Sequence, residues 1–282
     1  MKHMRSGVLI TGGAGFLGRG LTRRLLDTGC QRVCIFSRNE YSQAQMRAEF
    51  NDDQRLRWFI GDVRDTERLE RAMGSVESVI HAAALKRIEA GAYNPDEFVK
   101  TNVIGSMNVV EAARRSGVKK ALLVSSDKAF EPVSPYGQTK ALAESLFLTA
   151  NDINPAGPRY AAVRYGNVWG STGSVLPTWR EALKSKCTVR VTDPDVTRFF
   201  MWREEAVDLV LKTLRDMKGG ELAIPELPAY RLGDLVEAMN AQAVIVGLGE
   251  HEKKHESMGY GKCSANAKRM TVDELRDAVR RA

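Results

Sequence analysis

Apolar and polar positions alternate in blocks along the first 165 residues. Gly7–Thr11 is a short apolar run, and Phe16–Gly29 carries Leu17, Leu21, Leu25 and Leu26 on one helical face. Arg32–Ser37, Leu56–Ile60, Glu77–Ala82, Lys120–Ser126 and Tyr160–Tyr165 read as further strands, and the amphipathic stretches Pro95–Ser116 and Tyr136–Ala150 as helices. Apolar strands alternating with helices predict βαβ units and a parallel sheet covered on both faces. Right-handed crossovers wind such a sheet doubly. After Asn167 the rhythm breaks: Pro177, Pro194, Pro225 and Pro228 punctuate shorter segments, with helices expected at Arg203–Met217 and Leu232–Ala241. The expected architecture is α/β, a doubly wound parallel sheet from residues 1–166. Residues 167–282 form a smaller lobe, some of whose segments return to the first domain.

Composition narrows the class. The chain has 282 residues, 43% hydrophobic and 27% charged, which is the balance of a folded globule. A disordered, collagen-like or disulfide-framework chain is excluded. No apolar run approaches the roughly 18 residues a membrane span needs. Met1–Arg5 is basic, but Gly12, Gly13 and Gly15 interrupt the apolar run that follows. No leader is read there, and a cytoplasmic location is expected. Cys30, Cys34, Cys187 and Cys263 show neither C-x-x-C spacing nor a clustered histidine, which predicts reduced structural thiols. The net charge of +7 is spread over short pairs such as Arg23-Arg24 and Lys119-Lys120. No stripe or motif points to nucleic acid; a small phosphate-bearing ligand fits the charge equally well.

Chemistry begins in the first turn. Gly12, Gly15 and Gly18 lie between the first strand and the first helix, in the run Thr11–Gly18 that also holds Phe16 and Leu17. Glycines there permit a tight turn and let the backbone approach a pyrophosphate resting on the helix N-terminus. The pattern predicts a Rossmann-type dinucleotide-binding domain. Readers of NAD place an acidic residue about 20 residues onward; this chain has Ser37-Arg38 at the end of the second strand. A guanidinium pairs with a 2′-phosphate where a carboxylate repels it, so NADP is expected over NAD. The alternative for Arg38 is a solvated loop residue. Asp62, with Val63, closes the third strand and is placed to bond an adenine amino group. Ala82, Ala83 and Ala84 let the chain pass close to the cofactor, while His81 reads as a packed strand-end residue.

Tyr136 and Lys140 form Y-x-x-x-K, and of the seven tyrosines only Tyr136 has lysine at +4. On a helix the two side chains share a face, and an ammonium near a phenol lowers a pKa normally about 10. Tyr136 then serves as acid or base near neutrality. The pair follows Ser125-Ser126-Asp127-Lys128 at the end of the fifth strand.

Together the Thr11–Gly18 loop and Tyr136/Lys140 resemble the extended short-chain dehydrogenase/reductases. Ala84-Leu85-Lys86, Asn94-Pro95, Lys100-Thr101-Asn102, Ser126-Asp127-Lys128, Arg164–Val168, Gly173–Val175 and Thr197-Arg198-Phe199 refine the resemblance. They are similar to the inverting UDP-N-acetylglucosamine 4,6-dehydratases. The resemblance implies an NADP-dependent lyase acting on a nucleotide-diphosphate sugar, with no metal, assembled as a homodimer or larger homo-oligomer through the helical stretches. It implies that Tyr136, assisted by Lys140, takes the proton from the sugar O4 while Ser126 orients it. Lys128 acts as base at C5, and Asp127 as acid on the departing 6-hydroxyl. A lysine base must be neutral, so the pKa of Lys128 is expected to fall through burial or a neighbouring cation. Lys86, Asn167 and Arg198 are implied substrate contacts, or structural surface residues. Asn102 is counted on the cofactor side, supporting water or backbone near Lys140. A 4-epimerase of the same fold and an idle NADP-binding regulator are the alternatives.

One segment departs from those relatives. They carry Arg-Pro-Gly-Glu-Lys-x-His-Glu near the C-terminus, where this chain reads Gly249–Glu256 without the arginine. His251-Glu252-Lys253-Lys254-His255 also matches the zinc-protease pattern H-E-x-x-H. Its charged neighbours and flanking glycines predict a solvated surface segment instead.

Overall fold

The computed structural model describes residues 7–282; the basic Met1–Arg5 lie outside the described residues. Strands β1 (Val8–Thr11), β2 (Val33–Ser37), β3 (Leu56–Ile60), β4 (Ser78–His81), β5 (Lys120–Val124) and β6 (Arg159–Val163) follow the apolar runs within a residue or two. They alternate with helices α1 (Phe16–Asp27), α2 (Glu40–Glu49), α3 (Thr66–Met73), α4 (Ile88–Tyr93), α5 (Pro95–Phe98), α6 (Gly105–Arg115) and α7 (Pro135–Ile153). The rest of the chain forms α8 (Val175–Lys184), β7 (Val189–Val191), β8 (Thr197–Phe199), α9 (Arg203–Asp216), β9 (Leu222–Ala223), β10 (Ala229–Arg231) and α10 (Leu232–Ala238). It ends in β11 (Ala243–Ile245), β12 (Ser257–Gly259), β13 (Lys262–Cys263) and α11 (Val272–Arg281).

Seven strands make one parallel sheet in the order β3-β2-β1-β4-β5-β6-β9. The order reverses between β1 and β4, which opens a crevice at their carboxyl ends. Apolar side chains face both ways from the strands. Leu21 and Leu25 of α1 and Val207 and Val210 of α9 cover one side. Leu69, Val109 and Phe147 from α3, α6 and α7 cover the other. Helix α9 and strand β9 thus come back from the C-terminal part to the main sheet. The remaining C-terminal elements enclose a core of their own, with Trp169, Phe200, Tyr230, Leu235 and Leu275 buried. Among the described residues no helix is long and apolar enough to cross a membrane.

The stretch expected as one helix over Pro95–Ser116 is interrupted. Residues Val99–Ile104 form a π-helix between α5 and α6. Inside it, Asn102 is fully buried; Oδ1 accepts from the Leu85 amide at 2.8 Å, and Nδ2 donates to the Leu85 carbonyl at 2.9 Å and Thr139 Oγ1 at 3.0 Å. The widened turn lets one amide pin the loop after β4 to the start of α7.

A buried arginine, ion-paired within the first part of the chain, joins it to the C-terminal part. Arg164, just past β6, donates from Nε to Glu144 Oε1 on α7 at 3.0 Å and from Nη1 to the Met258 carbonyl of β12 at 2.8 Å. The pair is nearly sealed, with side-chain exposures of 10% and 5%. Removing one partner of such a pair strands a charge. Glu144→Ala is expected to cost about 3–5 kcal/mol in denaturant unfolding. A cost below about 1 kcal/mol would mean that water already solvates the guanidinium.

Candidate active site

The crevice at the β1/β4 switch continues under the C-terminal lobe as one cleft of about 1210 Å³. Its floor begins at the glycine-rich turn. Gly12 has φ +67°, and a Cβ there would lie 2.9 Å from the Ala83 amide nitrogen. Only glycine lets this turn lie against Ala82-Ala83. Helix α1 starts at Phe16 with no side-chain cap on Gly15 and no acidic residue in its first turn. Its first amides and the positive end of its dipole are left for an anion from the cleft. Gly18, Leu17, Ser37, Arg38, Asp62, Val63 and Ala84 line the same wall. The cradle therefore fits the pyrophosphate of a dinucleotide.

Arg38 is half exposed and 3.6 Å from Asp62, which Arg64 also holds at 2.8 Å. Burial opposes ionisation of Asp62, but bonds from Arg64 and the charge of Arg38 hold its carboxyl below the ordinary range. His81 is packed away: Nδ1 lies 2.7 Å from Thr11 Oγ1, Nε2 lies 3.1 Å from Ser106 Oγ, and the ring stacks on Phe147. Burial, with Lys140 nearby, lowers its pKa to about 3.

Helix α7 opens with Ser134 capping the Gly137 amide and Pro135 in the first turn. A Cβ on Gly137 would lie 2.3 Å from the Lys128 carbonyl oxygen, so the helix rests directly on the turn that follows β5. That contact brings Tyr136 beside Ser126, Asp127 and Lys128, and all four line the cleft with Lys140. The phenol is raised rather than lowered, against expectation, although Lys140 lies one helical turn on in α7. Lys140 Nζ donates to the Val124 carbonyl at 2.6 Å, and burial brings its pKa down to about 8 against the pull of Glu144. Burial pushes the Tyr136 phenol up; Ser126 and Lys128 pull it down, while Asp127 and Glu256 add to the rise.

Asp127 and Lys128 occupy a 3-10 turn, Asp127–Ala129. Lys128 Nζ lies 3.0 Å from Asp127 Oδ1 and 3.1 Å from Glu256 Oε1, and Ser126 Oγ donates to Asp127 Oδ1 at 2.9 Å. Burial raises the Asp127 carboxyl, Lys128 opposes, and Glu256 raises it further. The expectation of a lowered Lys128 is overturned. Burial does pull the amine down, but the charges of Asp127 and Glu256 outweigh it and hold Lys128 above its ordinary value. Oδ2 of Asp127, Oγ of Ser125 and Oδ1 of Asn167 are buried without hydrogen-bond partners. Orphaned polar atoms on a cleft wall are what a polar ligand satisfies.

The polysaccharide biosynthesis protein family matches residues 8–273. The chain belongs to that family. It is 42% identical over 261 residues to UDP-N-acetylglucosamine 4,6-dehydratase (inverting) of Campylobacter jejuni subsp. jejuni, across 90% of this chain and 77% of that protein. It is 35% identical over 284 residues to UDP-glucose 4-epimerase of Rickettsia rickettsii, across 97% and 82%. The structure of Pen from Bacillus thuringiensis superposes with a TM-score of 0.96 at 31% identity, covering 100% of this chain and 99% of that one.

In this member of the polysaccharide biosynthesis protein family one further correction concerns the binding residues. Asn102 does not reach the cleft; its amide is spent on Leu85 and Thr139 and acts by placing Lys140's neighbour. Arg198 lines the cleft, yet its Nη1 donates to the carbonyls of Thr197 at 2.9 Å and Lys254 at 3.3 Å. Lys86 faces the cleft, with its pKa lowered by burial and then by Arg87 and Lys128.

Of residues Gly249–Glu256, expected as a solvated stretch, Gly249, Glu250 and Lys254 are exposed, while Glu252 and Glu256 line the cleft. The two histidines of the H-E-x-x-H pattern turn to different partners: His251 Nδ1 to the Val133 carbonyl at 3.2 Å and His255 Nδ1 to Thr197 Oγ1 at 2.8 Å. No helix holds them on one face. Glu252 and Glu256 enter the cleft, and neither was singled out from the sequence. The signal lay in the family-like His255-Glu256 ending, which the zinc pattern obscured.

Proposed function

We propose that this chain is an NADP-dependent nucleotide-sugar 4,6-dehydratase acting on UDP-N-acetylglucosamine with inversion at C5. The 42% identity to a protein of that name supports the substrate. The observation that carries the reaction is the meeting of Tyr136 with the buried Asp127–Lys128 couple beside a dinucleotide cradle.

Gly12, Gly15 and the first turn of α1 hold the pyrophosphate, and Ser37 and Arg38 meet the adenosine end. NADP held there would supply the hydride chemistry, an acceptor for the C4 hydride and a donor for C6. Tyr136 removes the proton of O4, which Ser126 orients. Oxidation at C4 acidifies the C5 proton. Transfer of one proton from Lys128 Nζ to Asp127 Oδ1, across 3.0 Å, turns their ion pair into a free amine and a carboxylic acid. The amine then takes the C5 proton, and the acid protonates the departing 6-hydroxyl. A proton drawn from solvent then reaches C5 from the face opposite Lys128 and inverts that centre, and the proton held by Tyr136 is returned to solvent. Asn167, Lys86 and Arg198, which line the same cleft, take the sugar and diphosphate in this reading.

Incubation with UDP-N-acetylglucosamine, followed by NMR of the product, tests the reading: a 4-keto-6-deoxy sugar is expected. The similarity to a 4-epimerase favours a second reading, and a 4-epimer as product would install it; no product at all would leave neither. The cofactor is tested separately. Arg38→Ala is expected to weaken NADP binding about tenfold, the loss of one charge-assisted contact, and to leave NAD binding nearly unchanged. Tighter binding of NAD than NADP by the unaltered protein would refute the assignment.

A further inference from the structure

Among the described residues, Glu256 is the one carboxylate of the C-terminal lobe within ion-pair distance of the acid–base couple. Its side chain is 3% exposed. Oε1 lies 3.1 Å from Lys128 Nζ and 4.0 Å from Arg198 Nε, while Oε2 is buried without a partner. Its backbone is fixed. The Glu256 amide donates to Ser264 Oγ at 2.9 Å, Ser264 Oγ lies 2.7 Å from Thr197 Oγ1, and the Ser264 amide donates to the Glu256 carbonyl at 2.8 Å. Two residues on, the Met258 carbonyl is held by Arg164. A carboxylate so pinned in a dry site acts on its neighbours' protons through charge.

We infer that Glu256 is a positioning residue for dehydration: it holds Lys128 against Asp127 and keeps one proton on that pair across the working pH range. The inference rests on the dehydratase reading for its consequence, not for its geometry. The couple works with one shared proton; with two, the amine is blocked, and with none, the acid is spent. A fixed anion beside the pair raises both macroscopic steps. The other groups facing the pair are Arg198 and Lys86, which oppose this, Lys253 beside Glu256, and the phenols Tyr136 and Tyr230.

The test compares the unaltered protein, Glu256→Gln and Glu256→Asp. In each, the Lys128 amine is titrated by NMR of ε-labelled lysine without substrate, and solvent exchange of the C5 proton is followed against pH. In the unaltered protein Lys128 is expected to stay protonated beyond its ordinary value of 10.5. Glu256→Gln is expected to move the Lys128 titration and both limbs of the exchange profile down by about one pH unit or more; Glu256→Asp, which keeps the charge, restores their position at lower turnover. A residue that merely braces the lobe would change the height of the profile and leave its limbs in place. Coincident profiles for Glu256→Gln and the unaltered protein would overturn the inference, as would an ordinary Lys128 titration in the unaltered protein, even if no variant folds. Absence of any product from the unaltered protein would defeat the dehydratase reading, while the lysine titration would still decide the role of Glu256.

Discussion

Lys128→Ala is expected to lower turnover of the nucleotide sugar by about 10²–10⁴-fold, the usual value of a positioned acid–base group, while dinucleotide binding persists. The glycine-rich cradle belongs to β1 and α1 and makes no contact with this amine, so cofactor affinity reports an intact fold. The substitution removes the cation between two buried carboxylates, Asp127 at 1% exposure and Glu256 at 3%. Without it one of them must take up a proton. Lys128→Met, which keeps the side chain's bulk and drops its charge, separates packing from chemistry. The decisive readout is deuterium entering C5 from heavy water: both variants are expected to show none. Full turnover in either variant would remove Lys128 from the reaction.

The second large effect is expected at Tyr136. Tyr136→Phe deletes one hydroxyl from a ring that is already buried, so stability changes little. Turnover of the 4-hydroxy sugar is expected to fall by a similar ~10²–10⁴-fold, because the phenol acts on O4 before anything happens at C5. Supplying a 4-keto-6-deoxy sugar that keeps the substrate's configuration at C5, so that its C5 proton still faces Lys128, distinguishes the two steps. With C4 already oxidised, C5 exchange is expected to survive Tyr136→Phe and to vanish in Lys128→Ala. Loss of exchange in both variants would place the phenol at C5 rather than at O4.

Legibility differed by element. All six apolar runs of the first 165 residues became strands; β1, β2 and β4 are buried nearly throughout, which leaves no polar position to blur their outline, while the edge strand β3 leaves Arg57 and Ile60 exposed. Helices α2, α3 and α11 were not read, since few of their positions are apolar, although Asn39, Asp65 and the Thr271/Glu274 capping box mark their starts. The π-turn at Val99–Ile104 carries no periodic signal; it follows from Asn102 reaching Leu85 and Thr139, which lie far from it in sequence.

The sequence by itself determined the parallel sheet, the dinucleotide cradle and the grouping of Ser126, Asp127, Lys128, Tyr136 and Lys140. Each of these depends on short-range spacing or on the apolar period of a single element. Only the tertiary structure decided the charge state of the site. The Lys128 amine is held above its ordinary value by Asp127 next to it and by Glu256, which lies 128 residues further along the chain and is folded to within 3.1 Å. Lys140 is fixed by a carbonyl of β5, to which its Nζ donates at 2.6 Å. Proton affinity in a dry site depends on every charge within several ångströms, and those neighbours are assembled by packing, not by adjacency along the chain.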